Sequence, residues 1–235
     1  MDPLPSPPPP ARAPTAGGDT ATPFRDGRDS HAGVVRNVKM DRDWRWQPSL
    51  GQMLARMRAL PSSPLIIGVS GYGGSGKTTL AQALGRHLPA PVVSIDEFGT
   101  SAVCGRSDDW HGFDRLRLVR QVLAPLKSGV RDLRYDSCDD WDSWETVTAH
   151  LTVGRFLVLE GVGLFHPDVV PYLEYRIWLD VPLADATARG LARERSLGRD
   201  QTDLWQRVWE PNEVDFERKF QPKQLAQCMV RPLPQ

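Results

Sequence analysis

The chain has 235 residues with 29 Lys plus Arg against 29 Asp plus Glu, a formal net charge of zero at pH 7. Balanced charge gives no general attraction to nucleic acid or an anionic membrane, and no apolar run approaches the ~20 residues of a membrane helix, so a small-molecule ligand is favoured over either partner. Three cysteines, Cys104, Cys138 and Cys228, are odd in number and lack C-x-x-C spacing, which argues against a disulfide framework or a zinc site and for a reducing, cytoplasmic setting.

Residues 1–40 are expected to form a disordered tail and 41–235 one folded α/β domain. Met1 to Pro23 holds eight prolines and almost no large apolar residue, so it cannot offset the entropy of ordering. The tail lacks the apolar stretch of a signal peptide, and Asp2, Asp19, Asp26 and Asp29 do not suit an acid-poor transit peptide. Leu50, Met53, Leu54, Met57 and Leu60 follow at helical spacing and end before Pro61, which predicts an amphipathic helix packed on the domain.

Pro64 to Ser70 reads as a buried strand, and Leu80, Ala81, Leu84 and Leu88 predict a helix from Lys77 to Leu88. Between them stands Gly71-Tyr72-Gly73-Gly74-Ser75-Gly76-Lys77-Thr78, a match to G-x-x-x-x-G-K-[ST] in the context that motif requires. Glycines allow a tight turn whose N–H groups converge on phosphate oxygens, and the helix N-terminus adds partial positive charge. Gly71, Gly73, Gly74, Ser75, Gly76, Lys77, Thr78 and Thr79 are therefore candidate contacts for the nucleotide. Lys77 would reach the β- and γ-phosphates of ATP, and Thr78 would place its hydroxyl on Mg²⁺.

Further strands are predicted at Pro91–Ile95, Phe156–Leu159, Tyr175–Leu179 and Cys228–Val230. Helices are predicted at Phe113–Leu126, Pro182–Arg195 and Asp203–Phe220, the last with a break around Pro211. Alternating strands and helices imply a parallel sheet covered on both faces, with active residues at the carboxyl ends of the strands. That rule selects Asp96 after the second strand as a general base and Glu160 after the third as a magnesium ligand acting through water.

Arg189, Arg193, Arg195 and Arg199 could close over the nucleotide as a lid, or pair with Asp185 and Glu194 as a solvated face. Arg189 and Arg193 share a helix face, and Arg199 is a candidate for charge stabilisation. A third region mixes aromatics with carboxylates: Trp110-His111-Gly112-Phe113-Asp114, Tyr135-Asp136, and Asp139 to Trp144. It suits a pocket that stacks a flat ring and binds hydroxyls, or equally an exposed hairpin; His111 is a candidate substrate contact.

Ile67-Gly68-Val69-Ser70-Gly71, Ser94-Ile95-Asp96-Glu97-Phe98, Phe113-Asp114, Arg134-Tyr135-Asp136 and Val158-Leu159-Glu160-Gly161-Val162 resemble the uridine kinase and phosphoribulokinase group of P-loop small-molecule kinases. The closing Trp205, Trp209, Glu213 and Pro222 look like its compact bacterial uridine kinase-like branch. The resemblance implies a P-loop NTPase three-layer sandwich with a five-stranded parallel sheet and an arginine-rich lid. It also implies ATP-dependent phosphorylation of a hydroxyl, with Asp96 as base and Phe98, Tyr135 and Asp136 on the substrate side. Gly99 stands where that group usually has a tyrosine, which leaves the acceptor open among nucleosides, pantothenate, nicotinamide riboside and secondary metabolites. A nucleotide-dependent regulator is the alternative class. Neither of the two asparagines, Asn37 and Asn212, begins the N-K-x-D motif of guanine readers. Oligomeric state is not legible.

Overall fold

The computed structural model describes residues 45–138 and 140–233. The tail expected over residues 1–40 lies outside them, as does Asp139. A two-residue strand, β1 (Trp46–Gln47), leads into α1 (Leu50–Ala59). A reciprocal cap starts this helix: Gln52 N–H donates to Ser49 Oγ at 3.4 Å and Ser49 N–H donates to Gln52 Oε1 at 2.9 Å. Its apolar face buries Met53, Leu54 and Met57.

Strand β2 (Leu65–Ser70) is buried along its whole length and feeds the glycine-rich loop and α2 (Lys77–His87). Strand β3 (Val92–Ser94) is shorter than predicted because Ser94 turns the chain. Asp96 N–H donates to Ser94 Oγ at 3.2 Å and Ser94 N–H donates to Glu97 Oε1 at 2.9 Å, closing a 3₁₀ turn over Ile95–Phe98. Beyond the loop that follows lie α3 (Arg115–Leu118), α4 (Ala124–Lys127), an antiparallel hairpin of β4 (Asp132–Cys138) and β5 (Thr146–Thr152), and β6 (Phe156–Glu160). The rest comprises β7 (Tyr175–Leu179), α5 (Leu183–Ser196), α6 (Thr202–Leu204), α7 (Glu210–Phe220) and β8 (Cys228–Pro232).

The helices predicted for 113–126 and 203–220 each contain a proline, and both accommodate it in the same way. A π turn, Val119–Leu123 in one and Trp205–Trp209 in the other, ends two residues before Pro125 or Pro211. Proline donates no amide hydrogen and its ring crowds the carbonyl four residues back; a wider turn relieves both problems. The break expected at Pro211 is therefore a widened turn, and the chain stays helical to Phe220.

Five strands run parallel, as the sequence led us to expect, in the order β8-β7-β2-β6-β3, which it did not give. The sheet itself has six strands rather than five, because β1 pairs antiparallel with β8 at one edge. The hairpin β4–β5 is a separate two-stranded sheet; the sequence offered an exposed hairpin here as one of two readings, without bounds for its strands. Residues alternate along β2 and β6, sending Leu65, Ile67, Phe156 and Val158 into one core with α1 and α2. Ile66, Leu157 and Leu159 enter the other with Leu118, Val122, Phe165 and Phe216. This makes three layers, and each fully buried Leu or Ile contributes roughly 2 kcal/mol. Among the described residues no helix is long and apolar enough to cross a membrane.

Candidate active site

Central strand β2 delivers the glycine-rich loop to the carboxyl edge of the sheet, where register places the other functional groups beside it. Val69 of β2 and Ser94 of β3 both pair with Glu160 of β6. The loop's shape needs glycine. Gly74 and Gly76 have φ of +81° and +99°, and a Cβ on Gly74 would lie 2.1 Å from Ala186 O of α5. Gly76 caps α2 with no side-chain hydrogen bond, so the first amides of that helix lack an internal acceptor and face any bound anion. Ser75 Oγ is buried without a hydrogen-bond partner, an orphan that a phosphate oxygen would satisfy.

Lys77 is buried and its Nζ donates to Tyr72 O at 2.8 Å, which holds the ammonium over the loop. Thr78 Oγ1 donates to Glu160 Oε1 at 3.0 Å. Burial and the charge of Asp96 push the Glu160 carboxyl up to about 7, against the pull of Lys77. Among the described residues no three His, Cys, Asp or Glu side chains form a metal cage. Thr78 and Glu160 nevertheless offer hard oxygen donors of the kind that suit Mg²⁺ completed by water and phosphate oxygens.

Solvent reaches Asp96 from the cleft, although protein encloses it on its other sides. That enclosure raises its carboxyl above the usual range; Lys77 and Arg193 oppose the rise and Glu97 adds to it. Lys77, Glu160 and Arg193 are thus each brought within electrostatic reach of Asp96. Glu194 gathers two of the expected lid arginines. Arg199 Nε pairs with Glu194 Oε2 at 3.0 Å, Arg193 Nη2 pairs with Oε1 of the same buried carboxylate at 2.8 Å, and Arg189 is exposed.

On the acceptor side, Phe98 is buried beneath the Asp96 turn and stacks on Tyr135, with centroids 5.5 Å apart and planes at 18°. The Tyr135 hydroxyl donates to Glu97 Oε2 at 2.6 Å; burial and that carboxylate raise its pKa. Asp136 accepts from Gln121 Nε2 at 2.8 Å. His111 is exposed, with Nδ1 2.8 Å from Ser107 Oγ, on a loop whose neck is fixed by Asp114 N–H donating to Phe98 O and Thr100 N–H donating to Gly112 O. A Cβ on Gly99 would lie 3.4 Å from Trp144 and 3.6 Å from Trp141, so the hairpin's indoles stand where a side chain at 99 would project.

The sequence reading assigned no role to α7, which closes over both halves of the cleft. Glu213 Oε1 accepts the Gly73 N–H at 2.7 Å, and Trp205 lies so near the loop that a Cβ on Gly73 would be 2.9 Å from its indole. Asn212, fully buried, accepts the Ser107 N–H at 2.8 Å and donates to Gly105 O at 3.0 Å. The sequence predicted the helix itself, and Trp205, Trp209 and Glu213 entered only as marks of the resemblance; nothing in the sequence tied Asn212 or Glu213 to the loop, since an Asn-Glu pair after a proline reads equally well as a solvated surface.

No family model matches the chain. In sequence it is similar to the uridine kinase of Saccharomyces cerevisiae, 26% identical over 173 residues that cover 66% of this chain and 34% of that protein. The chain spans about a third of the length of that curated relative. In structure it is similar to a possible uridine kinase from Bacillus stearothermophilus, with a TM-score of 0.59 and 17% identity over 76% of this chain and 95% of that one. It is similar also to a candidate fructose transport system kinase from a Silicibacter species, with a TM-score of 0.61 and 23% identity over 75% of this chain and 95% of that one. The α/β fold with a mainly parallel central sheet is that of P-loop kinases, and the resemblance to the uridine kinase-like P-loop kinases holds in sequence and in fold.

Proposed function

We propose that this chain is a phosphotransferase that moves the γ-phosphoryl group of ATP to a hydroxyl of a nucleoside or similar polar metabolite. The observation that carries this reading is the Asp96 carboxylate, open to the cleft and within electrostatic reach of Lys77, Glu160 and Arg193. A hydrolase needs a held water; a kinase needs a base aimed at an acceptor, and Asp96 is placed for that task.

The loop amides, Ser75 Oγ and Lys77 bind the phosphates and orient the chain of oxygens. Thr78 and Glu160 would hold Mg²⁺, which supplies charge neutralisation on the phosphates when bound. Asp96 accepts a hydrogen bond from the acceptor hydroxyl and takes its proton as the new O–P bond forms. The bond between γ-phosphorus and the bridging oxygen breaks, and ADP leaves with that electron pair. Enclosure of Asp96 serves this step, since a carboxyl raised toward working pH is a better proton acceptor than an ordinary one. Arg193, whose charge acts on Asp96 although its guanidinium is paired with Glu194, would be the lid residue to meet charge on the transferring group.

ADP release from Mg-ATP, measured across nucleosides, pantothenate, nicotinamide riboside and aminoglycosides with Lys77→Ala as control, tests the reading. Stimulation by one compound that vanishes in the variant supports it. ATP binding without stimulation by any acceptor class would favour a nucleotide-dependent regulator instead.

A further inference from the structure

The phosphate loop already carries an anion of the protein's own. Gly73 N–H, at the outer lip of the loop, donates to Glu213 Oε1 at 2.7 Å. At the inner end the situation is reversed: Ser75 Oγ has no partner and α2 has no side-chain cap. The seat nearest α2, where a β-phosphate belongs, is open, while the outer seat is taken. Lys77, whose Nζ is held over the loop by Tyr72 O, acts electrostatically on both Glu213 and Asp96, so Glu213 draws on the same cation that a terminal phosphate would use.

The placement of Glu213 is built rather than incidental. Glu213 is buried, and Glu217 follows one turn later on the same helix face, where it accepts from the Tyr72 hydroxyl and pairs with Lys223 at 2.6 Å. Trp205 closes the other side against Gly73 and Gly190; a Cβ on Gly190 would lie 2.3 Å from its ring. Helix α7 thus grips the loop through the side chains of Glu213 and Glu217, with an indole beside them. A buried carboxylate that holds only one amide and a share of Lys77 is replaceable by a group with more negative charge and more acceptor oxygens.

Building on the kinase reading above, we propose that Glu213 occupies the seat of the terminal phosphate in the nucleotide-free protein and so discriminates nucleoside triphosphates from diphosphates. ADP enters with Glu213 in place, whereas ATP enters by displacing it and the segment of α7 that carries it.

Calorimetry on the full chain with Mg-ADP and with the Mg complex of the β,γ-imido analogue of ATP tests this, comparing wild type with Glu213→Gln, which keeps the shape and removes the charge. The variant should bind the triphosphate analogue about tenfold more tightly and leave ADP affinity nearly unchanged. Equal changes for both nucleotides, or weaker triphosphate binding, would overturn the proposal and leave the kinase reading intact. Failure of wild type to bind either nucleotide would overturn both. A second measurement needs no variant: amide exchange over residues 210–217 should rise with the triphosphate analogue and not with ADP. Equal protection by both ligands would count against displacement.

Discussion

Lys77, Thr78 and the loop amides occupy one short stretch between β2 and α2, so the phosphate half of the cleft is written in contiguous backbone. The acceptor half is assembled from separated segments tied by side chains: Tyr135 to Glu97 across 38 residues, Asn212 to Ser107 across 105. A local motif forms whenever its strand and helix form, and tolerates change elsewhere. A half-site held by individual hooks depends on each of them, and there proteins that share a fold can part in what they phosphorylate.

The largest expected effect lies in the phosphate half. Lys77→Ala should lower turnover on the order of 10⁴-fold while leaving the melting temperature near that of wild type. A melting temperature that fell with activity would show that Lys77 holds the fold as well as the phosphate. Asp96→Asn should cost about 10²–10³-fold in turnover yet bind nucleotide normally, since the base acts only in transfer; near-normal turnover would remove Asp96 from its assigned role.

Next in size is a change outside either set of contacts. Asn212→Ala strips the part-buried Ser107 N–H and Gly105 carbonyl of their partner and empties a fully buried position, a loss of about 2 kcal/mol or roughly 6 °C in Tm by thermal denaturation. If acceptor KM also rises while ATP affinity holds, the hook serves the acceptor half alone. The smallest effect is in pH. Burial pushes the Glu213 carboxyl up to about 7 from an unfolded value near 4.5. The folded protein therefore binds the proton more strongly, and this contribution to stability is full below pH 4.5 and lost as pH rises through 7. Thermal denaturation from pH 5.5 to 8 should show that decline in the nucleotide-free protein; Glu160, pushed up to about 7 as well, contributes to it, so Glu213→Gln should make the decline shallower without removing it.

The same contrast explains what the sequence revealed. Strands such as Leu65–Ser70 and Phe156–Glu160 are continuous apolar runs, and the loop carries its own glycines, so the parallel sheet could be read directly and the loop located as the candidate phosphate site. Asp96 and Glu160 followed from a topological rule about strand ends. An exposed hairpin was one of two readings for the Tyr135 to Trp144 region, but its strands could not be bounded, because β5, Thr146–Thr152, buries only Leu151 and shows no clear alternation. Pairing of the lid arginines with Glu194 was legible as the alternative to nucleotide contact, since Arg199 lies only five residues on; what the sequence hid is that this carboxylate is buried rather than on a solvated face. Glu213 was illegible as a site residue because the amide that explains it lies 140 residues earlier.

The tryptophans along the cleft have a consequence of another kind. Trp144 and Trp141 lie with ring centroids 5.3 Å apart, Trp141 and Trp209 at 6.3 Å, and Trp209 and Trp205 at 5.3 Å. One row of indoles therefore runs from the turn beside the Asp96 segment to the rim of the phosphate loop. Contacts this close let absorbed light migrate from ring to ring, so quenching at one end dims emission from the row. The cleft is its own optical reporter, and occupancy of either half can be followed by ultraviolet fluorescence with no label attached.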